Sequence, residues 1–225
     1  MSTARGRRRE NVRRWPADNT AYRALAAYFD EIAAAGESGP ASADALLDGA
    51  ALDFTGADLS DLDLLGAELS EAILDGVPMR HTDLYTAWLL EARLRGADLT
   101  GADLRKTQIR GCAAHGAILR AADARDADFS DADLGAADLS TAQLQKALFV
   151  NADLRNADLR DCRFHATVLT GARMSGCRLA GSRGLVSGPV DIGEHSPQLI
   201  DGKELQAWFA GRGAPEVALS PDPDS

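Results

Sequence analysis

Along residues 96–110, GADLTGADLRKTQIR, a small residue is followed by a polar one and then a large apolar one, and the pattern restarts every five residues. With the large apolar residue taken as the centre, one unbroken frame runs from Phe54 to Gly184 through 27 pentads. Leu, Phe, Ile or Met stands at 24 of the 27 centres, and Ala, Cys, Ser, Thr or Val stands two places earlier in 25, so the period is not a product of chance. Five residues suit neither standard element. Five α-helical steps turn by about 500°, so the centres would spiral around the cylinder. On a strand five is odd, and successive centres would alternate faces. Within one pentad, however, the small residue and the centre are two apart and share a face of an extended segment. The other three residues must then turn the chain. Equal turns of about 90° return it after four pentads, 20 residues to a lap, with laps stacked roughly 4.8 Å apart through backbone hydrogen bonds.

This repeat resembles that of the pentapeptide-repeat family, and the likeness covers about 130 of the 225 residues. It implies an all-β solenoid, a right-handed quadrilateral β-helix. At 20 residues per lap one inner column reads Leu69, Leu89, Ile109, Phe129, Phe149, Leu169, so the rings of Phe129 and Phe149 are expected to stack. Ala114 and Ala124 stand where Leu is the rule; they read as a gap partly filled by Phe129, or as an internal pocket. Cys112, Cys162 and Cys177 fall at small inward positions and read as buried small hydrophobes.

An open end of such a coil exposes core and strand edges, so both ends need covers. Residues 1–15 read as a basic flexible arm. Residues 16–51 form a helical N-terminal cap, with Tyr22, Leu25, Ala26, Phe29, Ile32 and Ala33 on one stripe, then a Gly-Pro-Ser loop and a short turn around Ala43–Leu47. The β-helix occupies 52–185. Residues 186–219 read as a C-terminal cap of short strands and a helix, with Asp201 as its N-cap, Glu204 at the third position and Leu205, Trp208 and Phe209 as its apolar face. Residues 220–225 read as a disordered tail.

Composition narrows the function. Only 5% of residues are aromatic, so the core is narrow and built from Ala and Leu. No apolar run is long enough to span a bilayer, and the arginine-rich start is followed by no hydrophobic stretch. Three cysteines without a CxxC spacing argue against a disulfide framework or a zinc site and for a reduced, cytoplasmic setting, while the resemblance to the pentapeptide-repeat family implies a bacterial one. A net charge of −10 disfavours direct binding to nucleic acid or an anionic membrane. No catalytic, metal-binding or phosphate-loop motif occurs, and His81, His115 and His165 point outward on different walls or laps. The chain therefore reads as non-enzymatic, with no catalytic residue, metal or cofactor.

Function then lies in the outward positions. A candidate acidic surface comprises Asp58, Asp63, Asp83, Asp98, Asp103 and Asp123, four of which (Asp63, Asp83, Asp103, Asp123) form one vertical file. The family's bacterial quinolone-resistance and self-protection members imitate DNA with such walls and bind type II topoisomerases. The resemblance therefore implies DNA gyrase as an alternative partner, with antibiotic resistance or self-protection as the outcome. A rod of this length, about 32 Å, would match about 19 charges of B-DNA. Residues 52–185 hold 20 carboxylates but also 15 Lys and Arg, a net of only −5. A candidate apolar contact surface comprises Leu65, Tyr85, Trp88, Leu90, Leu148, Val150 and Val168, where most pentads carry polar groups. The first reading is a rigid module that binds another protein, with a homodimer through the C-terminal segment as a further expectation.

Overall fold

The computed structural model describes residues 6–35 and 45–220. The Gly-Pro-Ser loop, the first residues of the basic arm and residues 221–225 of the tail lie outside them. Parallel bridges join residues 20 apart, from Asp48↔Glu68 to Arg163↔Arg183, and bridging positions recur every five residues, four to a lap. Each pentad bonds both ways: Leu69 N–H donates to Trp88 O at 2.7 Å, and Glu68 N–H donates to Leu47 O at 2.8 Å. Ala72 N–H returns to Leu69 O at 3.1 Å and closes the corner. The corner depends on a left-handed residue two places after each centre, as at Asp61 (φ 61°), Gly66 (φ 67°), Lys106 (φ 60°) and Asn151 (φ 58°). Only glycine takes this conformation freely; Asn and Asp tolerate it, and other residues are held there by the ladder. At Gly101 the missing side chain also makes room, since a Cβ would lie 2.5 Å from His81 Nδ1.

The centres and the small residues two places before them are buried together in one core. Phe129 and Phe149 lie with ring centroids 5.1 Å apart and planes within 3°. Ala114 and Ala124 are buried in the same core. Where the small inward residue is polar, it has a specific use. Thr82 Oγ1 donates to Leu59 O (2.9 Å), Thr107 Oγ1 to Leu84 O (2.9 Å) and Thr167 Oγ1 to Leu144 O (2.7 Å), each 23 residues back. Cys162 and Cys177 do the same with their thiols, at 3.1 and 2.9 Å. These cysteines are therefore donors to the preceding lap as well as small fillers.

At the N-terminal end, α1 (Asn19–Ala35) starts at Asp18, whose Oδ1 accepts from Thr20 and Ala21 N–H. Its buried face is Ala21, Leu25, Ala26, Tyr28 and Phe29, of which all but Ala26 join the core with Leu47 and Phe54. The expected stripe is rotated: Tyr22 is 40% exposed and packs on Trp15 at 4.8 Å, Ala33 is exposed, and Tyr28 is inside because its hydroxyl donates to Asp63 O at 2.7 Å. At the other end β1 (Thr167–Val168), β2 (Arg183–Ser187) and β5 (Glu216–Leu219) form a parallel sheet in the order β1-β2-β5. β3 (Val190–Asp191) pairs antiparallel with β4 (Leu199–Ile200). α2 (Gly202–Gly211) is capped by Asp201, whose side chain accepts from Gly202 N–H. Leu205 and Phe209 are fully buried, and Trp208 is roofed by the Arg212 guanidinium at 4.1 Å. The apolar face of α2 is thus used by its own chain. No helix among the described residues is long and apolar enough to cross a membrane.

Because Phe129 is held above and below by other laps, Phe129→Ala is expected to cost about 3–5 kcal/mol of stability, read as a lowered denaturation midpoint. A loss below about 1 kcal/mol would mean that the column repacks around the gap.

Candidate interaction surface

With the walls numbered from the one centred on Phe54, the third, centred on Leu64, carries an outward column in which successive parallel bridges join Asp63, Asp83, Asp103, Asp123, Gln143, Arg163 and Arg183. The β2–β5 register places Glu216 next, opposite Arg183. Neighbours in such a column stand about 4.8 Å apart. The aspartates have a local task first: each accepts the backbone N–H two residues on, Tyr85 to Asp83 at 3.0 Å, Arg105 to Asp103 at 3.1 Å, Thr100 to Asp98 and Ser60 to Asp58 at 3.0 Å. This Asx turn satisfies the corner without a tertiary partner.

Arginines then clamp most of them. Arg105 grips Asp103 with two bonds, at 2.8 and 2.5 Å, and Arg125 grips Asp123 at 2.7 and 2.6 Å. Arg80 reaches Asp98 at 2.6 Å on the next lap of the same wall. Asp158 shows the consequence: hydrogen bonding from Arg160 outweighs its desolvation and holds the carboxyl below the usual range. Asp83 differs. It has no ion pair among the described residues, and partial burial, with Asp63 and Asp103 on either side, raises its carboxyl above the ordinary value despite the Tyr85 N–H.

The basic arm, expected to be free, is docked over the residues described. Asp63 N–H donates to Gly6 O at 3.2 Å, and Asp58 N–H to Arg14 O at 2.8 Å in an antiparallel bridge. Arg7 Nε holds Asp63 Oδ2 at 2.5 Å, Arg13 pairs with Asp61, and Val12 is buried in the core. The reason is complementarity: the first laps are acidic and lack their own bases, and the arm supplies them. Gly6 (φ 87°) is required there, since a Cβ would overlap the Asp61 carbonyl. Asp63 is accordingly buried and withdrawn from the acidic surface.

The apolar residues fall into two groups. Leu65 (40% exposed) and Tyr85 follow their aspartates on the third wall, and Trp88 (49% exposed) opens the fourth wall, with Leu90 half-buried beyond it. Arg105 and Lys106 lie over the Tyr85 ring at 5.1 and 5.7 Å. Leu46, 46% exposed, sits above this corner, its Cδ2 3.0 Å from where a Gly66 Cβ would stand. Leu148 and Val168 adjoin each other but lie below Trp88 beyond Gln108 and Asp128, so they and Val150 form a separate, half-buried group.

Little else here has the makings of a reactive site. His81, His115 and His165 are exposed on separate walls or laps. The three thiols are buried, unpaired and pushed up to about 12 by desolvation. Among the described residues no cluster of His, Cys, Asp or Glu is arranged to hold a metal ion. An open depression of about 480 Å³ lies on the third wall's basic end, between Gln145, Arg163, His165, Arg183 and Glu216 over Phe164.

The family model for pentapeptide repeats matches in eight copies over residues 51–87, 79–113, 110–145 and 147–183. No curated protein matches the chain. Among solved structures it is similar to HetL, a pentapeptide repeat protein involved in heterocyst differentiation regulation from the cyanobacterium Nostoc sp. strain PCC 7120. Identity is 26%, covering 65% of this chain and 87% of that one, with a TM-score of 0.26. Full-length QnrB1, a plasmid-mediated fluoroquinolone resistance protein, is 21% identical over 72% of this chain and 84% of its own, with a TM-score of 0.24. A pentapeptide repeat protein of the Arabidopsis thaliana thylakoid lumen is 21% identical over 69% and 75%, with a TM-score of 0.21.

Since the folded state raises the Asp83 carboxyl, its charged form costs stability at neutral pH, and that cost fades as falling pH protonates the group. Asp83→Asn is therefore expected to raise the thermal midpoint of dilute protein at pH 7. The gain should shrink toward zero below about pH 4, as followed by circular dichroism melts across pH.

Proposed function

Because the chain belongs to the pentapeptide-repeat family, whose members fold as right-handed β-helices and are generally structural or binding modules, we propose that it is a non-enzymatic protein-binding module acting in the cytoplasm. In this reading a four-sided rod of 27 pentads, over residues 52–185, is capped by α1 at one end and by residues 186–219 at the other. Its stiff columns present side chains to a partner. The observation that carries it is the corner where Trp88 and Leu65 remain about half exposed on a backbone fully engaged in the ladder. Large apolar groups held rigidly in solvent lose little entropy on binding, and aromatic anchors of this kind dominate interface energies.

A second reading, a DNA-mimicking modulator of a type II topoisomerase, draws on the aspartate file of the third wall. Against it stand the arginine clamps on Asp103 and Asp123 and the arm on Asp63, which reduce the field the file presents. Two assays separate the readings. The immobilised full chain and its Leu65→Glu/Trp88→Glu variant are exposed to host lysate. A protein retained by the first and lost by the second, with unchanged circular dichroism, supports the apolar corner; identical retention rejects it. Inhibition of gyrase supercoiling that Asp83→Lys/Asp103→Lys weakens at least tenfold would support the second reading. Unimpeded supercoiling at every protein concentration would end it.

A further inference from the structure

The third-wall column is self-complementary when reversed. Read down the rod, its outward groups are Arg7 over Asp63, then Asp83, Asp103, Asp123, Gln143, Arg163, Arg183 and Glu216. Turned end for end about a point between Asp123 and Gln143, the same list sets Glu216 against Arg7, Arg183 against Asp83, Arg163 against Asp103 and Gln143 against Asp123. Opposite signs meet at the three outer levels; in the middle the Asp123 carboxylate, held by Arg125, meets the neutral Gln143. In this column Asp83, Arg163, Arg183 and Glu216 are without an ion pair among the described residues, and the reversal sets two of them, Asp83 and Arg183, against each other; Arg163 meets Asp103, which Arg105 already holds, and Glu216 meets Arg7, which already holds Asp63. On this wall Arg105 is satisfied by Asp103, and elsewhere on the rod clamps such as Arg120, Arg155 and Arg160 are satisfied too. Arg163 and Arg183, directly opposite in one ladder, repel each other with only Glu216 beside Arg183 to offset them, so a further anion brought to Arg163 is favoured.

From this we propose that two copies of the chain associate side by side and antiparallel through their third walls. The twofold axis crosses the column between Asp123 and Gln143. The interface is isologous, so each Asp83–Arg183 contact occurs twice. In the next outward column the exposed Leu65 comes to the level of Ala218 and Tyr85 to that of Leu185, apolar on apolar, while Arg105, already held by Asp103, faces His165 and Arg125, held by Asp123, faces Gln145. The depression around Arg163 and Arg183 gives the partner's carboxylates room to approach. The contact is small. A wall about 34 Å by 10 Å covers about 350 Å² per copy, under half the roughly 800 Å² of a standard interface. It is therefore a reversible dimer driven by charge and weakened by salt.

The inference rests on reading the rod as a binding surface and names one partner for one wall; its test contains no other protein, so its failure leaves the Trp88 corner standing. Sedimentation velocity of the purified full chain is run over a range of concentrations at low and at 1 M salt. Dimer is expected at low salt and monomer at high salt. Asp83→Lys and Arg183→Glu should each weaken association at least tenfold, and an equimolar mixture of these two variants should regain it, because each then offers the other's complement at both contacts. Asp103→Lys and Arg163→Glu give the same test at the second pair if Asp83→Lys disturbs the fold by circular dichroism. A chain that is monomeric throughout overturns the proposal. So does a dimer indifferent to the single reversals, or a mixture that stays monomeric.

Discussion

Everything in this molecule depends on a hydrogen-bonded ladder in which residue i meets residue i+20. Once each lap bonds to the next, a side chain has two destinations, the axis or the solvent, and in either it stands directly above and below its counterparts. The axis admits one small and one large apolar residue per pentad because laps about 4.8 Å apart leave no more room. Phe129 on Phe149 is the same constraint at its largest side chains. The left-handed residue at each corner is the cost of turning, borne by Gly where convenient and by Asp61, Lys106 or Asn151 where not.

A ladder that aligns core residues also aligns charges, and like charges directly opposite are unfavourable. The chain answers this locally first. The aspartates before the centres spend one oxygen on the corner N–H, and an arginine two residues on, or one from a neighbouring lap, takes the other. Where the repeat supplies no arginine, in the first laps, the N-terminal arm brings Arg7 and Arg13. A carboxylate count therefore overstates the potential the rod shows a partner. In the outward column of the third wall, the groups without an ion pair among the described residues are Asp83 toward one end and Arg163, Arg183 and Glu216 toward the other.

The repeat made much of this legible from the sequence. The five-residue frame locates the columns, the inward and outward positions and the Asp63–Asp123 file, because these follow from spacing alone. The cap over α2 was readable from Asp201 and the apolar trio after it. Other features were not readable. Gly6 carries no local sign that it will seat against Asp61, and the hydroxyl of Tyr28 finds Asp63 O from 35 residues away, which turns α1 enough to leave Tyr22 outside. The thiols of Cys162 and Cys177 read as filler because their acceptors, 23 residues back, exist only once the laps are stacked.

By itself, then, the sequence determined which side chains point in, which point out and which share a column, since these depend on a period that any stretch of the repeat displays. Tertiary structure alone decided which outward groups remain available. Pairing and burial there are set by contacts between segments far apart in the chain, such as Arg7 with Asp63, Arg13 with Asp61 and Glu216 beside Arg183. Such contacts are fixed by where the folded backbone carries each residue, and no local pattern encodes them.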